Sequence, residues 1–175
     1  AGTVSSDSNQ DSLLASSKDV KEHNYVVKYL IECLEFLKVN NYKQNESKVT
    51  SFGDISHLQT LVSSKIDNLC PFDLLEILHP SPAVCGSPKK EAMDWINTLE
   101  SFSRGNYASP IGWVDSDGNS EFRVAIRGAR YIDQNLEFTA GSGIVKGSIV
   151  NKEIDEIQLK FKSLVKQIFL TKLTK

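Results

Sequence analysis

Two helix-like stretches carry carboxylates at spacings that gather them on one side. Asp19 and Glu22 are three apart, and Lys18 and Glu22 four apart. Near the other end, Glu153 and Glu156 are three apart, and Lys160 lies four beyond Glu156. Residues three and four apart on a helix are neighbours, so each set shares a face. The spacing suits an ordinary ladder of ion pairs, worth about 0.3–0.5 kcal/mol per pair. It also suits a hard-cation site to which each helix supplies one ligand. Mg²⁺ takes oxygen ligands, keeps several waters, and is often held by one or two carboxylates plus an anionic substrate.

An arginine offers the complementary chemistry. In the run Glu121 to Ala129, read as a strand, Phe122, Val124 and Ile126 point one way, and Arg123, Ala125, Arg127 and Ala129 the other. Arg127 then has an alanine on either side, which leaves room for a planar anion against its donor fork. A plain solvated face fits the same pattern. Gly141-Ser142-Gly143 lies between a strand and a helix, where glycines allow positive φ and close approach of backbone to a ligand, or simply a turn. His57 and His79 stand singly without metal spacing, and no Ser-His-Asp or Cys-His arrangement is legible. Cys33, Cys70 and Cys85 are odd in number and read as free thiols.

The elements that must position these groups follow from periodicity. Residues 4–17, rich in Ser, Asp, Asn and Gln, read as a loop, and 18–39 as a helix with Val26, Leu30, Cys33, Leu34 and Leu37 on its apolar face. Residues 40–50 read as a polar loop, while 51–63 fit strand or helix. A short helix is predicted over 72–78 and another over 89–102. Strands at 111–114 and 121–129 flank Asp115-Ser116-Asp117-Gly118-Asn119, a hairpin-turn signal. A third strand covers 136–140, and a final helix 151–170 places Ile154, Ile157, Phe161, Leu164 and Ile168 on one face. No internal repeat is seen.

The totals exclude several classes. The 175 residues suit one domain or part of a larger one, with 40% hydrophobic and 24% charged residues. A net charge of −2 without a basic stripe gives no nucleic-acid footprint, and no apolar run reaches the roughly 18 residues that span a membrane. A reducing, cytoplasmic setting is expected, or a plastid in a photosynthetic eukaryote. The chain opens on Ala1-Gly2-Thr3, with neither Met nor a signal segment, so the front of a larger protein is expected to precede it.

The motifs, taken in order, resemble the C-terminal half of the chorismate-utilising enzymes. Ala1-Gly2-Thr3 resembles that family's AGT segment, and Lys18-Asp19 with Glu22-His23 its K-[DE]-x-x-E-H pattern. The likeness continues through His57-Leu58, Leu78 to Pro88, Arg104 to Trp113, Val124 to Ala129 and Ala140 to Val145, and closes on Glu153, Glu156 and Lys160. His79-Pro80-Ser81-Pro82-Ala83-Val84-Cys85-Gly86 is similar to the isochorismate synthase branch. The ammonia-using branches usually carry Thr where Ala83 stands.

The resemblance implies an α+β fold of antiparallel sheets with outer helices, residues 1–175 being the C-terminal part of a chorismate-binding domain. It implies Mg²⁺ held by Glu22 and Glu156, with Asp19 and Glu153 as acids one layer behind. Chorismate, a dianion, would be bound by Tyr107 and Arg127, by Lys160, and by the backbones of Gly2 and Gly141. His57 and Ala83 would lie beside the ligand. The implied activity is conversion of chorismate to isochorismate, with salicylate, anthranilate or aminodeoxychorismate synthesis, or a non-catalytic chorismate-binding fragment, as alternatives. The family's base lysine and acid glutamate lie upstream of the AGT segment, so no catalytic acid or base is assigned within this chain, which alone is expected to be inactive. The segment from Gly2 to Lys18 is short and lacks the usual Arg-Gly, and Ser142 replaces a common Ala, which narrows the carboxylate pocket slightly.

Overall fold

The computed structural model describes residues 3–6, 11–66 and 69–170. The chain is α+β, with small antiparallel sheets and helices, as the resemblance implies. The described residues divide into two compact units. The first draws on residues up to Val20, on Lys48–Gln59 and on the chain from Ile126 onward; the second draws on Lys21–Ser47 and Thr60–Ala125.

The first unit is built on a three-stranded antiparallel sheet. Strand β1 (Val4–Ser5) precedes helix α1 (Asp11–Ala15), and the first turn of α2 (Ser17–Phe36) also belongs to this unit. After β2 (Tyr42–Gln44) come β3 (Lys48–Phe52) and β4 (Ile55–Gln59), and the sheet order is β1-β4-β3. Residues 4–17 are therefore not one loop. Leu13, 1% exposed, anchors α1 against the β3–β4 hairpin, whose Ile55, Ser56 and Leu58 are buried. One buried leucine on a five-residue helix is too little periodicity for sequence reading to find.

Residues 51–63, which fit strand or helix, form strand. Phe52 pairs with Ile55 across the two-residue loop Gly53-Asp54, with Gly53 at φ 60. Glycine suits the first central position of such a loop. Residues 40–50 are corrected from loop to strand: they hold β2 and the start of β3, whose mostly polar side chains give no alternation to mark the pairing.

The second unit holds the body of α2, the ribbon of β2 with β5 (Val62–Ser64), helices α3 (Pro71–Leu78) and α4 (Lys89–Leu99), and the hairpin of β6 (Pro110–Val114) with β7 (Ser120–Val124). Helix α2 ends three residues before the predicted 39. Lys38 takes φ 59, its N–H donates to Glu35 O at 2.9 Å, and Val39 N–H donates to Leu34 O at 2.8 Å. That is a Schellman stop with lysine at the position glycine usually fills. The predicted turn after β6 is present: Asp115 Oδ1 accepts from the N–H groups of Asp117 and Asn119, both at 2.9 Å.

The remaining corrections fall in the last third of the chain. The predicted strand 121–129 breaks at Val124, because Arg127 adopts φ 58 before β8 (Ala129–Ile132) begins. Simple alternation from Arg123 to Ala129 therefore does not hold. Strand β8 pairs with β9 (Asn135–Phe138) through Asp133 and Gln134, both at positive φ. The final helix α5 (Val150–Leu170) keeps most of the predicted inner face, with Leu164 buried and Ile157, Phe161 and Ile168 half-buried, but not at its first turn. Glu153, Ser163 and Leu164 are buried, while Ile154 is 46% exposed. Its first turn places Glu153 inward where the prediction had Ile154.

Candidate active site

The first unit brings together most of the residues singled out above. Ser16 Oγ accepts from Asp19 N–H at 3.2 Å, which fixes the opening turn of α2 and sets Lys18 and Asp19 side by side. Lys18 Nζ lies 2.9 Å from Glu153 Oε1 and 3.2 Å from its Oε2. The same ammonium is 3.8 Å from Glu156 and 3.9 Å from Asp19. On the far side of Glu156, Lys160 Nζ lies at 2.7 Å from Oε1 and donates to Gly141 O, also at 2.7 Å. These side chains are mostly shielded: Lys160 and Glu156 are each 11% exposed.

The spacing on each helix could have meant a solvated ladder. Instead Lys18 reaches across to α5, so the two helices share one charged cluster of three carboxylates and two ammonium groups. A cleft of about 350 Å³ opens there, with Thr3, Lys18, Asp19, Glu153 and Glu156 in its wall. Burial pushes the Glu153 carboxyl up, but hydrogen bonds from Lys18 and Ser148 outweigh it and hold it below the usual carboxylate range. Glu153 is thus a full negative charge at neutral pH.

Arg127 forms the second feature. Its guanidinium lies 3.2 Å from His57 Nε2, and Thr3 Oγ1 lies 3.3 Å from His57 Nδ1. A guanidinium only donates, so Nε2 accepts, the imidazole is neutral, and Nδ1–H donates to Thr3. Thr3 thereby links the Arg127–His57 pair to the cleft wall. The left-handed backbone at Arg127, at φ 58, turns the side chain out of strand alternation. Such a conformation in a non-glycine residue is uncommon and concentrates at functional sites.

Three predicted residues belong to the second unit. Glu22 lies on α2 three positions past Asp19. Ala83 is exposed on the turn closed by Cys85 N–H to Ser81 O at 3.1 Å. Tyr107 lies under the Arg104 guanidinium, 5.8 Å from its ring centroid. Gly2 lies outside the described residues. The predicted glycine loop is present, but the left-handed glycine of that connection is Gly147, at φ 104. Gly141 presents its carbonyl to Lys160.

Sequence reasoning missed the roles of Lys18 and Thr3. Lys18 was visible only as a pattern letter and by its spacing to Glu22, and its partner Glu153 lies 135 positions away.

Among the described residues, no group of three or more His, Cys, Asp and Glu is gathered that could hold a metal ion. The donor chemistry still suits Mg²⁺, which needs only one or two carboxylates, with waters and a substrate anion completing its shell.

Comparisons with known proteins bear on the family. The model of the family described as chorismate binding enzyme matches residues 2–169. Isochorismate synthase MenF of Bacillus subtilis (strain 168) is 37% identical over 159 residues, covering 87% of this chain and 33% of that protein. Anthranilate synthase component 1 of Saccharolobus solfataricus is 40% identical over 113 residues, covering 62% of this chain and 27% of that one. The crystal structure of DhbC from Bacillus anthracis, assigned as a 2,3-dihydroxybenzoate-specific isochorismate synthase, superposes with a TM-score of 0.88 at 30% identity. That match covers 96% of this chain and 47% of the other. The chain thus spans about a third of the curated relatives and about half of the solved one. With a family match that runs through both charged helices, and a shared fold at 30% identity, the chain belongs to the chorismate binding enzymes.

Proposed function

We propose that this chain supplies the substrate- and metal-binding wall of an isochorismate synthase that converts chorismate to isochorismate with Mg²⁺. The observation that carries the reading is the cluster shared by α2 and α5. An acidic wall of Asp19, Glu153 and Glu156 runs directly into Lys160, beside Gly141. A cation position and an anion position are thereby contiguous, which a ring acid held through a metal requires.

In this reading Glu22 and Glu156 hold the ion, and Asp19 and Glu153 orient what surrounds it. When bound, Mg²⁺ neutralises the ring carboxylate and stabilises charge that develops as a hydroxyl leaves. Lys160 places its ammonium against a ligand carboxylate, with the Gly141 and Gly2 backbones beside it. Arg127 and Tyr107 take the second carboxylate, where the planar guanidinium fork suits a bidentate grip. Neutral His57, held by Thr3, sets the orientation of Arg127. Ala83 leaves space that the Thr of ammonia-using branches would fill.

The acid and base come from an upstream half of the same enzyme, so the chain alone is inactive. Physical support lies in each unit. Trp113 and Ile111 in the second, and Ile144 and Val150 in the first, are more than half exposed. The β6–β7 and β8–β9 sheets have only two strands each, too few for independent stability. The product would serve quinone or siderophore synthesis, in the cytoplasm or a plastid. No helix among the described residues is long and apolar enough to cross a membrane.

The test is product analysis of the complete gene product with chorismate, with and without Mg²⁺ and ammonia. Isochorismate formed only with Mg²⁺ is the expected result. Anthranilate or aminodeoxychorismate would overturn the assignment, as would salicylate as the released product.

A further inference from the structure

Lys18 lines the cleft, and the proposed function leaves it without a task. Its ammonium sits nearest Glu153, with contacts to both carboxylate oxygens, and within 4 Å of Glu156 and Asp19. Of these, Glu156 is a proposed ligand of the divalent cation and Asp19 and Glu153 are the acids around it, and all three line the same cleft. Glu153 is 7% exposed and ionised, so it requires a positive partner wherever one can be found. Lys18 itself keeps 22% exposure, on a flexible four-carbon stem that can carry the charge out to water.

We propose that Lys18 is a built-in counter-ion that competes with the divalent cation for this carboxylate cluster. The proposal rests on the reading that the cleft takes Mg²⁺. Two cations cannot share the same oxygens without repulsion, so Lys18 must swing out, or pair with a ligand carboxylate, as the ion settles. Three carboxylates against Lys18 and Lys160 leave one net negative charge; without Lys18 they leave two. Lys18 therefore lowers the affinity of the bare site for Mg²⁺. It also couples metal binding to substrate binding, because an arriving dianion offsets the repulsion and offers the displaced ammonium a new partner. A positioning role of this kind differs from that of Lys160, whose bonds to Glu156 and the Gly141 carbonyl hold it at the anion end.

The experiment is calorimetric titration of the complete gene product with Mg²⁺ in the absence of chorismate, for wild type and for the Lys18→Met and Lys18→Arg variants. Removing a unit charge from about 5 Å of a divalent ion near a protein surface changes binding by about tenfold or more. Lys18→Met should bind Mg²⁺ at least about tenfold more tightly than wild type, and Lys18→Arg no more tightly. Unchanged or weaker binding in Lys18→Met, with a wild-type circular dichroism spectrum, would overturn the proposal. Equal tightening in Lys18→Arg would also overturn it, since charge would then not be the cause. Glu156→Gln separates the two levels. If wild type binds Mg²⁺ and Glu156→Gln does not, the metal reading stands whatever Lys18 does. If wild type itself gives no Mg²⁺ heat, the metal reading falls and takes this inference with it.

Discussion

Lys160 is where a functional cluster and a helical salt-bridge ladder predict different outcomes. Glu156 and Lys160 are an i,i+4 pair, and on an exposed helix such a pair contributes about 0.3–0.5 kcal/mol. Here both side chains are 11% exposed, and the ammonium also donates to Gly141 O at 2.7 Å. Hydrogen bonds to charged groups in such a setting contribute about 1.5–3 kcal/mol. Lys160→Met should therefore destabilise the protein by about 1.5–3 kcal/mol in chemical denaturation. It removes the tie between α5 and the Gly141 loop and leaves Glu156 with the more distant Lys18, at 3.8 Å.

A double-mutant cycle with Glu156→Gln isolates the pair, and its coupling should exceed about 1 kcal/mol. The ligand gives a second readout. If Lys160 grips a substrate carboxylate, its loss costs about 2 kcal/mol of binding, or roughly a 30-fold rise in the chorismate dissociation constant. A coupling below about 0.5 kcal/mol together with unchanged chorismate affinity would refute the reasoning, and the pair would be the ordinary ladder its spacing allows.

Three further outcomes follow from other parts of the molecule. Arg127→Gly removes the guanidinium and relieves the cost of φ 58, so chorismate binding should collapse while the melting temperature holds or rises; a fall in both would mark Arg127 as structural. Leu13→Ala should cost about 2–5 kcal/mol in urea denaturation, because the side chain is 1% exposed between α1 and the β3–β4 hairpin. A loss under about 1 kcal/mol would show that α1 is not anchored there. Glu153 has a depressed folded pKa, so its contribution is present above the unfolded carboxylate pKa and lost as pH falls through the folded one. Urea denaturation of Glu153→Gln across that acid range should show a shallower fall in stability than wild type, and identical slopes would reject the assignment.

What could be read ahead of the structure depended on how local the cause was. The body of α2, α3, α4 and the Asp115 turn depend on neighbours in the chain, and they stand close to where periodicity and turn chemistry put them. Strands β2 and β3 depend on partners elsewhere, and their polar side chains gave no alternation to follow. The break at Arg127 was invisible for another reason. Sequence favours φ < 0 for arginine, and nothing in the residues around it signals a left-handed turn. For the site, the carboxylates and Lys160 were found because they repeat on helices. Lys18 and Thr3 act through contacts to Glu153 and His57, which no spacing rule reaches.

Helix α5 shows why that division matters. Leu164, in its back half, is buried like any core leucine, and Lys166 pairs with Asp54 of the β3–β4 turn at 2.7 Å. Its front half buries Glu153 and nearly buries Glu156. Burying acid opposes folding, and hydrocarbon in the same places would stabilise the helix more. The fold tolerates the acid because Lys18 and Lys160 neutralise most of the charge from opposite sides. In the proposed reading those lysines serve stability and site at once. If the cluster takes a metal, removing Lys18 to improve the site must loosen the protein that carries it, and a bound cation is what would restore the lost charge balance.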